Sequence, residues 1–298
     1  MMGEHEADSR PNPIRAYAHF EEYHWWFLAR RRILRELVRF LLPPSKDTLI
    51  IDIGCGPGAN IAAFAAGYHC IGIDTSAEAI EIARERYPMV EFVNGVSPGD
   101  LGSAPEAADL FLVMDVLEHI EHPRAMLESI VARASKDAYL LITVPADPDL
   151  WSPHDEAVGH YRRYTRETLA ELVHGLPLET VMVSPYNARV YWGVKVTRRL
   201  ARALRRGHGG TDAEGTDLRI PPFPLNGILT ALFSQEAMPL ARALREQSPS
   251  PFRAGVSLIA IFQKTEGEVR ASVHDLPIGA LTAKELGGPS KERRRLRR

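Results

Sequence analysis

Four groups of residues in this 298-residue chain have types and spacings that do chemistry. The first is Asp52-Ile53-Gly54-Cys55-Gly56-Pro57-Gly58, where an acid leads into three glycines at alternate positions. A backbone without Cβ atoms can turn sharply there and let a ligand come close. The second is Asp74, which ends the run His69–Asp74 and is placed to accept both hydroxyls of a ribose. The third is Asp115, Glu118 and His119, spaced so that a helical turn would put them on one face. His119 is a candidate general base. The trio, with a loop histidine, is also a candidate divalent-cation set. Capping and hydrogen bonding are its plainer use, and no metal is expected. The fourth is the connection 145–164, which carries Trp151, His154, His160, Arg162 and Arg163. It offers two further candidate bases and an arginine pair able to clamp an anion, or simply to be solvated.

These groups need elements to hold them. Ile50–Ile53, the glycine turn and a small-residue helical segment over 59–66 make the strand, turn and helix start of a nucleotide crevice. Further strands are expected at 69–74, 90–93, 110–114, 138–144, 178–183 and 255–262. Helices are expected at 76–86, with Ser76 as cap, at 124–134 after Pro123, and from the cap Thr165 to 174. Strands alternating with helices predict a parallel, doubly wound sheet with right-handed crossovers. The long loop 145–164 leaves the end of a strand, where open α/β sheets bind ligands.

The flanking regions read differently. Residues 1–13 are charged and proline-bearing and are expected to be disordered, and 14–45 form an N-terminal helical cap. In the cap, apolar positions 33, 34, 37, 38 and 41 share a helical face with arginines opposite. This helix packs on the sheet or covers the crevice, with Trp26 a candidate acceptor contact. Residues 46–184 form the core, 185–253 a helical insertion on the acceptor side, 254–264 the last core strand and 265–298 a disordered basic tail. In the insertion, Lys195, Arg198, Arg199, Arg202, Arg205 and Arg206 share one helical face, and Val196, Leu200, Ala203 and Leu204 another. Such a helix reads as an interfacial device, with cations for anionic head groups and an apolar side for acyl chains. Its alternative is a lid helix with a solvated arginine face. A second apolar helix is expected over 226–237, ending before Pro239.

Bulk properties narrow the class. The formal net charge of -2 gives no general attraction to nucleic acid, and 45% hydrophobic content is that of a globular protein. Two cysteines make neither a disulfide framework nor a metal-ligand spacing. With no secretory signal and no apolar run of membrane-spanning length, the expected location is cytoplasmic, with peripheral contact at the inner membrane face through 195–206.

The glycine turn admits two cofactors. Read as Gly54, Gly56 and Ala59 with Asp74 downstream, it passes as a dinucleotide fingerprint, and an NAD(P)-dependent oxidoreductase is the alternative it supports. Asp52 argues against a pyrophosphate, which it would repel, and for a cationic ligand group. S-adenosyl-L-methionine carries an α-ammonium, a sulfonium and a ribose diol and no phosphate. IIDIGCGPG, GIDTSAEAIEIAR and DLFLVMDVLEHIEHP, in that order, resemble the class I S-adenosylmethionine-dependent methyltransferases. The likeness is to the branch of the ubiquinone-biosynthesis O-methyltransferases and related bacterial small-molecule and lipid methyltransferases. It spans roughly 46–184 and the strand at 255–263. The resemblance implies a Rossmann-like doubly wound seven-stranded α/β sheet with an antiparallel last strand. It implies that Asp52, Gly54, Cys55, Gly56, Gly58 and Asn60 line the methionine part, that Asp74 and Thr75 meet the ribose, and that Val96 and Asp115 complete the cofactor site. Many relatives carry an acid where this chain has Val96, and here Asp100 stands four residues on. The implied reaction is methyl transfer to an oxygen of a small-molecule or lipid-linked acceptor. A binding-only protein that kept the crevice is the non-enzymatic alternative.

Overall fold

The computed structural model of the chain describes residues 13–205 and 220–267. The expectations for 1–12, for the loop 207–217, for the tail from 268 and for arginine side chains beyond 200 lie outside the described residues. Seven strands form one sheet: β1 (Ser45–Ile53), β2 (Tyr68–Asp74), β3 (Glu91–Asn94), β4 (Leu110–Met114), β5 (Tyr139–Pro145), β6 (Leu178–Tyr186) and β7 (Ser257–Lys264). The order is β3-β2-β1-β4-β5-β7-β6, with β7 antiparallel to both β5 and β6. The expected fold class and its antiparallel last strand are therefore present. The strand order reverses between β1 and β4, so Asp52 and Asp115 stand at the switch point where doubly wound sheets open a crevice.

Alternate residues of the central strands feed two cores, because successive side chains of a strand point to opposite faces. Ile51, Ile53, Phe111 and Val113 face a core closed by α6 (Pro123–Arg133) and α8 (Arg166–Val173). Ile50, Leu110, Leu112 and Leu141 face the other, closed by α2 (Trp25–Leu41) through Ile33, Leu34, Leu37 and Val38. The latter core also takes Phe233 from α10 (Leu225–Ser234) and Leu240 and Leu244 from α11 (Ala237–Arg245). The cap and the insertion meet directly: Asn226 accepts from the Trp25 amide at 2.8 Å and donates to Tyr23 O at 2.9 Å.

The insertion corrects two expectations. Pro239 does not end a helix; it sits in the first turn of α11, where the missing amide would have no intrahelical acceptor in any case. In helix α9 (Tyr191–Arg205), part of the expected cationic face is engaged by the loop 147–150 instead of being left to solvent. Lys195 donates to Asp147 at 2.8 Å, Arg199 lies 3.7 Å from Asp149, and Arg198 donates to Leu150 O. The outward stripe is apolar: Trp192, Val196 and Leu200 are 68%, 53% and 58% exposed. The small-residue helix after the glycine turn is also shorter than expected, α3 covering only Ala59–Ala62. Among the described residues no helix is long and apolar enough to cross a membrane.

Candidate functional site

The glycine turn is tied to the neighbouring strand: the Gly54 and Cys55 amides donate to Ile73 O at 2.8 and 3.0 Å. Gly58 has φ +87°, and a Cβ there would come within 2.7 Å of the Phe92 ring, so the turn closes on its packed side. Gly56 has φ +53°, yet nothing lies within 4 Å of where its Cβ would be, which leaves that side open to a ligand. Asp74, at the end of β2, accepts from Gly56 N and Ser76 N, each at 2.8 Å and each on a different oxygen. Burial raises its carboxyl above the usual range, and these amides offset the rise only in part. Each oxygen keeps a second lone pair for a ribose hydroxyl. Thr75 follows it, half-buried. Burial raises the Cys55 thiol well above its usual range, so it stays a neutral part of the wall.

Asp52 is 1% exposed, and neither of its oxygens has a hydrogen-bond partner. Burial, with the charge of Glu21 next in importance, pushes its carboxyl well above the usual range. A buried carboxylate without donors is costly, and a cationic ligand group at this strand end would relieve it. Asn60, also buried, donates to Glu21 Oε1 at 3.0 Å and leaves its own Oδ1 without a donor. Val96 is exposed at the mouth, its amide donating to Asp100 at 2.7 Å, with Ser97 N on the same oxygen at 3.0 Å. The acid four residues on therefore folds back to brace this loop.

Two crevice residues come from the cap and carried no sequence signal. Glu21 of α1 (Pro13–Tyr23) is 1% exposed. Arg30 of α2 is one of the arginines expected opposite the apolar stripe. It is instead buried, pairs with Asp115 and lies 4.3 Å above the centre of the Trp26 ring. The helix thus packs on the core through its aliphatic stripe and reaches the crevice through its first turns. Trp26 accordingly serves as the platform under Arg30. Asp115, at φ +56°, is held between Arg30 and Thr143, whose hydroxyl donates to it at 3.2 Å.

The long loop after β5 contains the short helix α7 (Pro153–Ala157). Its centre is Asp155, fully buried, which accepts from Ser152 N, Ser152 Oγ, His160 Nδ1, and Arg163 Nε and Nη2, all at 2.8–3.1 Å. Burial opposes its ionisation, but the bond from His160 and the charge of Arg163 prevail and hold its carboxyl well below the usual range. Arg163 is therefore a brace of the loop, its Nη1 donating to Ala146 O at 3.0 Å, and does not present a free fork to an anion. Arg162 donates to Glu121 O at 2.9 Å and stacks over Tyr161. Trp151 Nε1 donates to Glu156 at 3.2 Å.

The three candidate histidines come together although 41 residues separate the first from the last. His119 meets His160 edge-on at 4.6 Å between ring centres, and His154 stands 6.5 Å from His160. Burial, then His160, lowers the His119 pKa to about 3. Glu118 is buried, neither of its oxygens has a partner within hydrogen-bond distance, and burial with Asp115 raises its carboxyl well above the usual range. Glu118, His119 and His160 offer ligand atoms within 4.8 Å of one another, a set that a divalent cation could take. Asp115 is not in it: the chain turns through a short 3-10 segment, Leu117–His119, and Asp115 faces Arg30 instead.

A family profile described as a methyltransferase domain matches residues 25–183. Trans-aconitate 2-methyltransferase of Paracidovorax citrulli is 31% identical over 107 residues, which is 35% of this chain and 41% of that protein. The mitochondrial ubiquinone biosynthesis O-methyltransferase of Schizosaccharomyces pombe is 30% identical over 102 residues, 32% of this chain and 36% of that protein. The matched segment thus spans about two-fifths of these relatives' length. In fold, the chain is similar to the plantazolicin methyltransferase BamL, crystallised with a triazolic desmethylPZN analog and SAH. The TM-score is 0.53 at 17% identity, over 87% of this chain and 92% of that one.

Proposed function

The chain belongs to the methyltransferase-domain family, and from that premise we propose that it transfers a methyl group from S-adenosylmethionine to an oxygen of a small-molecule or lipid-linked acceptor. The observation that carries the reading is Asp52, a buried carboxylate with no donor at the mouth of a glycine turn. A dinucleotide pyrophosphate would meet repulsion there, whereas an ammonium or sulfonium is attracted. The residues present fit the donor: the glycine turn and Asn60 along its methionine arm, Asp74 at the ribose, and the loop at Val96 near the base. The bound donor supplies a methyl already activated on a sulfonium.

What remains for the protein is to align the acceptor, exclude water and hold a proton. Asp155 is ionised and accepts from His160 Nδ1, so the basic nitrogen of His160 is Nε2. His160 is therefore the base in this reading. His119 is neutral at working pH but too weakly basic to compete, and meets His160 edge-on, with His154 beside them. The relatives named trans-aconitate 2-methyltransferase and ubiquinone biosynthesis O-methyltransferase support an oxygen of a small molecule as acceptor. The outward apolar stripe of α9 supports one presented at a lipid surface.

Calorimetry with S-adenosylhomocysteine and with NAD tests the donor. Binding of NAD with no binding of the homocysteine compound would end the reading. Transfer of labelled methyl into a metabolite and lipid extract tests turnover, with His160→Gln expected to lower it about 10²–10⁴-fold. Binding without any labelled product would favour the non-catalytic alternative.

A further inference from the structure

We propose that Glu21 is itself a ligand of the methyl donor, closing with Asp52 and Asn60 an acidic pocket for the donor's α-ammonium, so that bound donor holds the N-terminal helices on the crevice. The inference rests on the S-adenosylmethionine reading above and adds to it a residue from outside the sheet.

The argument is one of unmet acceptors. Glu21 Oε1 accepts from Asn60 at 3.0 Å, while Oε2 has no donor. Asp52 has none on either oxygen, and Asn60 Oδ1 has none. All three residues are at least nine-tenths buried. Buried polar atoms in folded proteins are nearly always paired, so a cluster of four orphan acceptors on three touching elements calls for a donor from outside the chain. The nearby cations do not supply it. Arg30 gives its Nη1 to Asp115, and Arg31 donates to the main-chain oxygens of Glu21 and Glu22. A primary ammonium carries three N–H donors and a positive charge, which suits acceptors shared among two carboxyls and an amide oxygen. A phosphate or carboxylate suits none of them.

The placement has a consequence for the cap. Glu21 lies on α1, and Asp52 and Asn60 lie on β1 and α3. A group bridging them ties the cap to the sheet exactly where the glycine turn opens, and it would shield the donor from water.

The test separates the ammonium from the rest of the ligand. S-adenosylhomocysteine carries the amino-acid arm; 5′-methylthioadenosine keeps the adenosine thioether and lacks the arm. In the full chain, Glu21→Gln is expected to weaken S-adenosylhomocysteine about 10- to 100-fold, the range for loss of a charged hydrogen bond. Methylthioadenosine should bind the variant as it binds the wild type. Equal weakening of both ligands would show that Glu21 only supports the fold, and no weakening of either would show it is no ligand; both outcomes overturn the inference. A wild-type measurement guards against a variant that fails to fold. Hydrogen exchange over 13–30 should slow with S-adenosylhomocysteine and much less with methylthioadenosine; equal slowing, or none with the former, overturns the inference. If the wild type binds neither compound, the donor reading itself has failed. If it binds both while Glu21→Gln changes nothing, only the role of Glu21 has.

Discussion

Asp52, near the end of β1, and Asp155, in the loop after β5, are the same residue type and equally buried, and their electrostatic fates are opposite. Asp155 accepts from a backbone amide, a hydroxyl, a histidine and an arginine fork, and its carboxyl is held well below the usual range. Asp52 accepts from none of the described residues, and burial pushes its carboxyl well above. The difference separates support from reception. A buried charge that the protein satisfies itself holds a loop in shape, whereas one left unsatisfied costs stability until a ligand arrives. Glycine-turn chemistry thus sits on the unsatisfied side and histidine positioning on the satisfied one.

The comparison breaks most readily at Asp155. Asp155→Asn should destabilise the protein by about 3–5 kcal/mol, because it strands the buried guanidinium of Arg163. Urea unfolding would read this, and a loss below 1 kcal/mol would show that the loop does not depend on the pair. Asp52→Asn should do the reverse. Unfolding without ligand should be unchanged or slightly harder, while S-adenosylhomocysteine affinity falls about tenfold or more. A drop in stability without a drop in affinity would place Asp52 with Asp155 as a structural group.

The two carboxyls also differ in the sign of their pH dependence. For Asp155 the folded pKa lies below the unfolded one, so its stabilisation is present above the unfolded carboxyl pKa and is lost as pH falls through the folded value. For Asp52 the folded pKa is raised, so its contribution is full below the unfolded pKa and is lost as pH rises through the folded one. Over the window between the unfolded and the raised folded pKa, the ligand-free wild type should therefore lose stability relative to Asp52→Asn as pH rises. A constant difference between the two across that window would refute the assignment. The smallest effect concerns α9, whose Lys195 and Arg199 pair with Asp147 and Asp149 and whose Trp192, Val196 and Leu200 are exposed. Trp192→Ser with Leu200→Ser should change unfolding by no more than about 0.5 kcal/mol per substitution. It should nonetheless reduce sedimentation with anionic liposomes; unchanged sedimentation would remove the lipid contact from the reading.

Much of the fold was legible because its signals are local. Aliphatic runs bounded by turn residues located all seven strands within a few residues, and Ser76, Pro123 and Thr165 marked helix starts that the structure keeps. Helix α11 escaped because Pro239 reads as a stop unless one knows it lies in a first turn. The packing of α9 stayed open between two alternatives for a related reason. An amphipathic pattern gives two faces, and only the acids of the loop at 147–149 decide which one packs.

By itself the sequence determined the sheet, the glycine turn, the acid ahead of it and the loop that leaves the end of β5. Each of these is encoded in residues a few positions apart, where steric limits and periodicity act directly. The tertiary structure alone decided that Glu21 and Arg30 reach the crevice, that His119 and His160 touch, and that Arg163 is consumed by Asp155. A charged residue on an amphipathic helix looks the same in sequence whether water or a buried carboxylate will face it. The choice is made by what packs against it from 39 or 85 residues away.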